Sequence, residues 1–376
     1  MSEAVPGPEA VPPPDASSPR SASSPQSDWH IFTGGNRPHD RIRSLPPPPP
    51  WRDFGGTGST GDRRPGDVRR ARSYRTDESV VDKVNAALQL RRPLLVTGKP
   101  GSGKSTLAYS IAYELGLGPV LNWPITSRST LQQGLYHYDA IGRVHEASLR
   151  GSGPAWAGPA VPQAVDGETG AASDAAADVR PDAPGIGRYI RLGPLGTALL
   201  PGDLPRVLLI DELDKSDIDL PNDLLNIFEE GWFLIPELER LPEDQPVVEV
   251  MTAGEGRASI ERGRVACADF PIVVITSNGE REFPPAFLRR CVRVAIEPPN
   301  GEHLAEIVEA HLGEPARREA EELIRDFLAR RAHGDLATDQ LLNAIFLATS
   351  GARPPESGLA DLVDTILRPL GIPGSK

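Results

Sequence analysis

The chain has 376 residues and a formal net charge of −12, an acidic balance that argues against general nucleic-acid binding. The two cysteines have no metal-type spacing and suit a reducing compartment. The first residues are acidic and interrupted by proline, unlike a secretory signal. No apolar run reaches the ~18 residues of a membrane span. We therefore expect a cytoplasmic protein whose partners include neither nucleic acid nor a membrane.

Two long stretches lack the periodic apolar positions that a folded segment needs. With 40 prolines, the chain has about twice the usual ~5% frequency, and the prolines are concentrated in these stretches. Residues 1–73 are rich in Pro, Ser, Gly and Arg, and we predict a disordered tail. Residues 151–187 are rich in Ala, Gly, Pro and Asp, and we predict a disordered insertion at the tip of a hairpin.

Order is predicted to begin near Asp77, with a helix whose apolar residues recur at helical spacing. An apolar run at residues 93–96 follows and leads through a glycine-rich turn into a second helix. The turn has the spacing G-x-x-x-x-G-K-S of a phosphate-binding loop. Its residues are Gly98, Lys99, Pro100, Gly101, Ser102, Gly103, Lys104, Ser105 and Thr106.

This loop predicts a site for ATP and Mg²⁺. Glycines let the main chain approach a ligand closely, and their N–H groups, with the positive end of the helix dipole, form an anion site. Lys104 is expected to reach the β- and γ-phosphates, and Ser105 to hold Mg²⁺ through its hydroxyl. The alternative is a chance turn in a chain rich in glycine and proline, but the flanking strand and helix argue against it.

A second motif follows four consecutive aliphatic residues, 207–210, which are typical of a parallel strand buried on both faces. Open α/β sheets bind ligands at the carboxyl ends of their strands. We therefore expect Asp211 to hold Mg²⁺, directly or through water, and Glu212 to polarise the attacking water. The alternative, acidic residues that only cap the next helix, is weakened by the phosphate loop.

The remaining elements are predicted from periodicity and turn residues. Strands are expected at residues 119–124, 271–278 and 292–296, and a hairpin with arms at 232–235 and 247–251. Helices are expected at residues 128–136, 219–230, 301–312, 316–331, 338–349 and 357–368. The predicted fold class is α/β: the parallel sheet of a P-loop NTPase in residues 74–299, then a small all-α lid domain in residues 300–376.

The order of these motifs resembles that of the AAA+ ATPases over about residues 77–370. Within that class, the chain is similar to the MoxR branch. Residues 284–290 (PPAFLRR) resemble a MoxR run ending in A-F-L-R-R, and residues 222–230 (NDLLNIFEE) resemble that branch's N-x-L-L-x-x-x-E-E helix. Residues 193–195 (GPL) precede the Asp-Glu strand as in MoxR-like proteins. By that match, the tract at 151–187 lies in a hairpin inserted into the second helix.

The resemblance implies further site residues and partners. Asn278 matches the sensor-1 position, which orients the attacking water. Arg289 and Arg290 match the arginine fingers that act on a neighbouring subunit's γ-phosphate, although a surface salt bridge is the alternative for one of them. Arg353 is the candidate for sensor 2, but its surroundings, GARPP, depart from the MoxR G-x-x-P-R. The implied assembly is a ring of identical subunits, a hexamer, acting with a client or adaptor protein such as one with a von Willebrand A domain.

Three functions fit these motifs. The favoured one is an ATP-hydrolysing, chaperone-like remodeller of a partner protein. A nucleotide-gated switch or scaffold with little turnover is the first alternative, but it has no need of Glu212, Asn278 and an arginine pair. A small-molecule kinase is the second, although no acceptor pocket is evident and the C-terminal helices stay unexplained. A GTPase is disfavoured because the chain has no N-K-x-D motif.

Overall fold

The computed structural model of the chain describes residues 30–45, 77–151, 185–332, 334, 336–349 and 356–368. Predictions for the rest lie outside the described residues. They include the predicted tail apart from residues 30–45, the tract at 152–184, and Arg353. Within the described ranges, no helix combines the length and the apolar character that a membrane span requires.

The described ranges contain eleven strands and thirteen α-helices. The strands are β1 (Leu94–Thr97), β2 (Leu121–Pro124), β3 (Tyr136–Tyr138), β4 (Ile190–Leu192), β5 (Val207–Asp211), β6 (Trp232–Leu234), β7 (Val247–Met251), β8 (Arg257–Glu261), β9 (Arg264–Ala266), β10 (Ile272–Ser277) and β11 (Val292–Ala295). The helices are α1 (Glu78–Leu90), α2 (Lys104–Glu114), α3 (Leu131–Leu135), α4 (Ala140–Gly151), α5 (Pro194–Ala198), α6 (Leu220–Glu230), α7 (Pro236–Glu239), α8 (Pro285–Leu288), α9 (Gly301–Leu312), α10 (Glu314–Glu319), α11 (Glu321–Arg331), α12 (Thr338–Thr349) and α13 (Glu356–Ile366).

Five strands form a parallel sheet in the order β11-β1-β10-β5-β2. Successive residues of β5 are buried on opposite faces: Val207 and Leu209 join one apolar cluster, and Leu208 and Ile210 join the other. Helices α1 and α2 cover the first face, while α5, α6 and a second sheet cover the second. Burial on both faces explains the unbroken aliphatic run, and the predicted α/β fold with a parallel sheet is confirmed.

The second sheet has six strands in the order β3-β4-β7-β8-β9-β6. The hairpin predicted between residues 232–235 and 247–251 is wrong, because β6 pairs with β9 and β7 pairs with β8, both antiparallel. Arg262 and Gly263, with φ angles of 50° and 73°, close a two-residue turn between β8 and β9. This turn directs β9 back along β6 and leaves β7 to pair with β8.

Strands β3 and β4 form an antiparallel pair, and the chain between them contains α4 and the tract at 152–184. Tyr136 already belongs to β3, so the helix predicted at 128–136 is only the short α3. Helices α3 and α5 flank the pair and contact each other. Both edges of the tract predicted at 151–187 are ordered, since Gly151 ends α4 and Ile186 is buried.

The N-terminal strap, which we define as residues 30–45, corrects the prediction that residues 1–73 are disordered throughout. Ile31, Phe32 and Ile42 are only 2%, 0% and 4% exposed and pack in the cluster of α1 and α2. Three apolar side chains spread over a dozen residues form no periodic pattern, which is why composition suggested disorder. The partners that order this strap lie far away in the sequence.

Two buried side chains hold the backbone of the strap. Asn85 on α1 accepts hydrogen bonds from the N–H groups of Ile31 (2.6 Å) and Phe32 (2.9 Å), and its amide donates to the Phe32 carbonyl at 2.7 Å. Glu114, at the end of α2, accepts from the backbone and hydroxyl of Thr33 at 2.5 and 2.8 Å. These bonds replace the hydrogen bonds to water that the backbone groups of an extended segment otherwise need.

Replacing Asn85 with alanine is expected to lower the free energy of unfolding by about 2–3 kcal/mol, because two buried N–H groups of the strap lose their acceptor. Denaturant titration measures the change. Asp82→Ala is the matched control: Asp82 is on the same helix and contacts His30 of the strap, but its side chain is 54% exposed. The control should cost no more than ~1 kcal/mol. Equal, small effects of both substitutions would contradict the packing of the strap.

The five C-terminal helices, α9 to α13, pack around an apolar cluster of their own. The helix predicted at 316–331 is two helices, α10 and α11, which meet at Ala320. The other three predicted helices agree with α9, α12 and α13 within two residues. The described part of residues 300–376 therefore contains helices and no strand, as the sequence predicts.

Candidate functional site

The candidate site lies where the parallel strands end. Since the sheet is parallel, the loops after β1, β5 and β10 leave from the same edge. The register places Val96 opposite Thr276, and Ile210 opposite Ile275. The phosphate loop, the Asp211–Glu212 pair and Asn278 are thereby brought together, as the sequence predicts.

The phosphate loop connects β1 to α2 in a conformation that needs glycine. Gly101 has a φ of 73°, and a Cβ there would lie 2.8 Å from the Cα of Ala337. A Cβ on Gly98 would lie 2.5 Å from the carbonyl oxygen of Ile296. The loop is thus packed against other backbone on two sides and has the tight turn that an anion site requires.

Lys104 and Ser102 give this loop the character of a phosphate site. Lys104 is 6% exposed, and its Nζ donates to the carbonyls of Gly98 at 2.9 Å and Lys99 at 2.8 Å. Burial lowers the pKa of Lys104, and the nearby carboxylates, Asp214 foremost, oppose that effect. The buried Ser102 Oγ has no hydrogen-bond partner among the described residues. A phosphate oxygen would satisfy this atom, so the loop fits the anion that its sequence predicts.

The predicted metal residues are in direct contact. Ser105 Oγ donates to Asp211 Oδ1 at 2.7 Å, and Thr276 Oγ1 donates to the same oxygen at 2.6 Å. Carboxylate and hydroxyl oxygens suit Mg²⁺, which is usually held by one or two protein groups together with substrate phosphates. Ser105 and Asp211 therefore fit the ion.

Glu212 is held in an unusual backbone conformation. Its φ and ψ of 60° and 49° are left-handed, and its N–H donates to Thr276 Oγ1 at 2.8 Å. Its carboxylate accepts from Asn278 Nδ2 at 3.3 Å and pairs with Lys215 Nζ at 2.6 Å. The hydrogen bond to Glu212 raises the pKa of Lys215. The predicted base and the predicted water-orienting amide are therefore neighbours.

The two arginines lie elsewhere in this single chain. Arg290 pairs with Glu229 and donates to the Ala286 carbonyl at 3.2 Å. The Arg289 side chain is exposed, and its carbonyl accepts from Arg92 at 3.1 Å. In the part of the chain that the structure describes, neither guanidinium bonds to the phosphate loop, Asp211 or Glu212. The surface salt bridge considered for one of the pair is formed by Arg290.

A cleft of about 140 Å³ separates the phosphate loop from the C-terminal helices. Thr338 on α12 spans it by donating to the Gly101 carbonyl at 2.8 Å. Arg331 also lines the cleft and donates to the Pro299 carbonyl at 2.8 Å. The C-terminal helices thus contact the phosphate loop directly.

Three site residues were not assigned a role from the sequence: Thr276, Asp214 and Lys215. Thr276 has a signal, because aligning the polar ends of β5 and β10 places it beside Asp211. Asp214 and Lys215 directly follow the Asp211–Glu212 pair, but their partners depend on a turn that spacing alone does not reveal. No protein-family model and no curated protein matches this chain.

Proposed function

We propose that the chain binds and hydrolyses ATP with Mg²⁺, as an AAA+ protein of the MoxR-like branch. The observation that carries the proposal is one constellation at the end of the sheet. A buried lysine lies within the phosphate loop, Ser105 contacts Asp211, and Asn278 contacts Glu212. Phosphoryl transfer to water uses groups of these kinds: a phosphate-binding cation, ligands for a metal ion, a base and a group that orients the water.

In the proposed reaction, the loop N–H groups and Lys104 bind the phosphates, and Ser105 and Asp211 hold the ion, which neutralises phosphate charge when bound. Glu212 accepts a proton from the attacking water, whose oxygen bonds to the γ-phosphorus. The bond from that phosphorus to the bridging oxygen breaks, which yields ADP and phosphate. Asn278 orients the water for this attack.

The AAA+ assignment draws support from features outside the constellation. An all-α region follows the sheet and contacts the phosphate loop through Thr338. A hairpin, β3 and β4, separates the short helices α3 and α5, as expected of an insertion into a second helix. The exposed Arg289 suits a site completed by a neighbour. We propose that the active form is a ring, a hexamer, which remodels a client or adaptor protein, for example one with a von Willebrand A domain.

Purified full-length protein is expected to release phosphate from ATP in the presence of Mg²⁺, and EDTA should abolish the release. Titration of a fluorescent ATP analogue measures binding in the same samples. The absence of both binding and hydrolysis at millimolar ATP would contradict the proposal. ATP binding without hydrolysis would favour a nucleotide-gated switch.

The second candidate is a nucleotide-gated switch that binds ATP with little turnover. One observation favours it: the Glu212 carboxylate is engaged by Lys215 on one oxygen and by Asn278 on the other. Each carboxylate oxygen can accept two hydrogen bonds, so a water molecule can still be accommodated, but Lys215 competes with that water for the carboxylate and would slow turnover. The two candidates differ in turnover, which the same assay measures.

A further inference from the structure

Asp214 is a buried carboxylate beside the proposed catalytic groups. It lies in the turn Leu213–Lys215 after β5 and is 2% exposed. Its Oδ2 accepts two backbone hydrogen bonds, from Asn278 at 2.9 Å and from Glu280 at 3.0 Å. Charge-assisted bonds to backbone N–H groups are stronger than neutral ones.

These bonds fix the turn that follows β10. Gly279, between the two donors, has a φ of 79°, and its own N–H donates to Ser277 Oγ at 3.0 Å. A left-handed residue between two residues whose N–H groups point to one oxygen is a small anion-binding nest. Here the anion is a side chain of the chain itself, so the turn has one defined position relative to β5.

The same turn carries the side chain that touches Glu212. The Asn278 amide Nδ2 lies 3.3 Å from Glu212 Oε1, while the Asn278 backbone N–H is bound to Asp214. A shift of this turn by about 1 Å away from Glu212 would stretch the contact beyond hydrogen-bonding distance. Small misplacements of positioning groups are known to cost large factors in rate.

We propose that Asp214 is a positioning residue, which holds the turn of Asn278 so that its amide meets Glu212 and the attacking water. The inference rests on the proposed ATP hydrolysis and adds a residue to it. Asp214 acts through Asn278 and does not itself touch the substrate.

Asp214→Ala is expected to lower kcat by about tenfold or more, because the turn of Asn278 loses its acceptor, with ATP affinity within about threefold of wild type, because Lys104 keeps two other carboxylates nearby, Asp211 and Glu212. Asp214→Asn is expected to keep kcat within about threefold, since its side-chain oxygen can still accept both N–H groups. If the kcat of Asp214→Asn fell as far as that of Asp214→Ala, the carboxylate would act through its charge, for instance on Lys104. The proposal would then be overturned.

A double-mutant cycle tests whether Asp214 acts through Asn278. Adding Asp214→Ala to Asn278→Ala should lower kcat by less than about twofold beyond Asn278→Ala alone; losses that multiply would overturn the proposal. Arg281→Ala is the matched control, because Arg281 links the same two segments by donating to the Ser216 carbonyl at 2.9 Å. This control should keep kcat within about threefold, and a loss as large as that of Asp214→Ala would indicate general loop packing instead.

If Asp214→Ala does not fold, Asp214→Glu replaces it in the cycle, since one extra methylene displaces the acceptor but keeps the charge. Its kcat should then fall by about tenfold, and that loss should vanish in the Asn278→Ala background. Wild-type protein is measured alongside every variant. A wild type that does not hydrolyse ATP refutes the proposed function and this inference with it, whereas an active wild type with an independent Asp214 refutes only this inference.

Discussion

Replacing Lys104 with alanine is expected to abolish ATP binding and leave the fold intact. Lys104 is buried within the phosphate loop, and its ammonium would contribute charge-assisted hydrogen bonds to phosphate, each worth about 1.5–3 kcal/mol. We expect the Kd for a fluorescent ATP analogue to rise by more than about 100-fold. The loop carbonyls that Lys104 now contacts would turn to water, so the melting temperature should change by only a few degrees.

The neighbouring Lys99→Ala is the matched control for this substitution. It removes the same charge from the same loop, but Lys99 takes part in the loop through its backbone, whose carbonyl accepts from Lys104, and its side chain is exposed. Its effect on Kd should stay within about threefold, in the range of a surface charge. If Lys104→Ala bound ATP within about twofold of wild type, the phosphate-loop assignment and the proposed function would both fail.

The phosphate loop and the strand before Asp211 were predictable because their signals are local. The spacing from Gly98 to Ser105 requires a particular turn, and four aliphatic residues in a row require burial on both faces. The parallel order of the sheet then brings Asp211 next to Ser105, without further information from the sequence. Contacts that follow from strand direction are therefore predictable even across about a hundred residues.

Contacts that depend on one buried polar side chain or on one short turn were not predictable. The strap looks like the rest of the tail until Asn85 and Glu114 are placed beside it. The pairing of β6 with β9 depends on a tight turn at Arg262 and Gly263. This two-residue signal is weaker than the apolar runs at 232–235 and 247–251, which suggested the wrong hairpin. Asp214 was visible in the sequence, but its role depends on two backbone N–H groups that carry no residue-specific signal.

Substitutions of Glu212 and of the arginine pair distinguish a ring motor from a monomeric enzyme. Glu212→Gln is expected to bind ATP normally and to stall turnover, because the amide keeps the shape of the site but cannot accept a proton. If an arginine acts on the neighbouring subunit, its replacement by alanine should lower the rate by about 10³-fold, the lower end for an arginine finger. ATP binding should persist in both variants.

The structure distinguishes the two arginines. Arg290 is paired with Glu229 of its own chain, whereas the Arg289 side chain is exposed. We therefore expect Arg289→Ala to show the rate loss of an arginine finger. Arg290→Ala is the matched control, and Glu229→Gln should reproduce its effect if the role of Arg290 is to hold α6. A 10³-fold loss in Arg290→Ala alone, with Glu229→Gln active, would exchange the two roles.

Mixing Glu212→Gln with Arg289→Ala provides the decisive measurement. A head-to-tail ring assembled from equal amounts has about one quarter of its interfaces with an intact Glu212 facing an intact arginine, so some activity should return. Glu212→Gln mixed with the double variant, Glu212→Gln with Arg289→Ala, should stay inactive, because no subunit supplies the base. Wild-type specific activity should also rise with protein concentration as the ring assembles. If the first mixture stays inactive despite proven co-assembly, each chain works alone. The switch or kinase function would then be favoured over the ring motor.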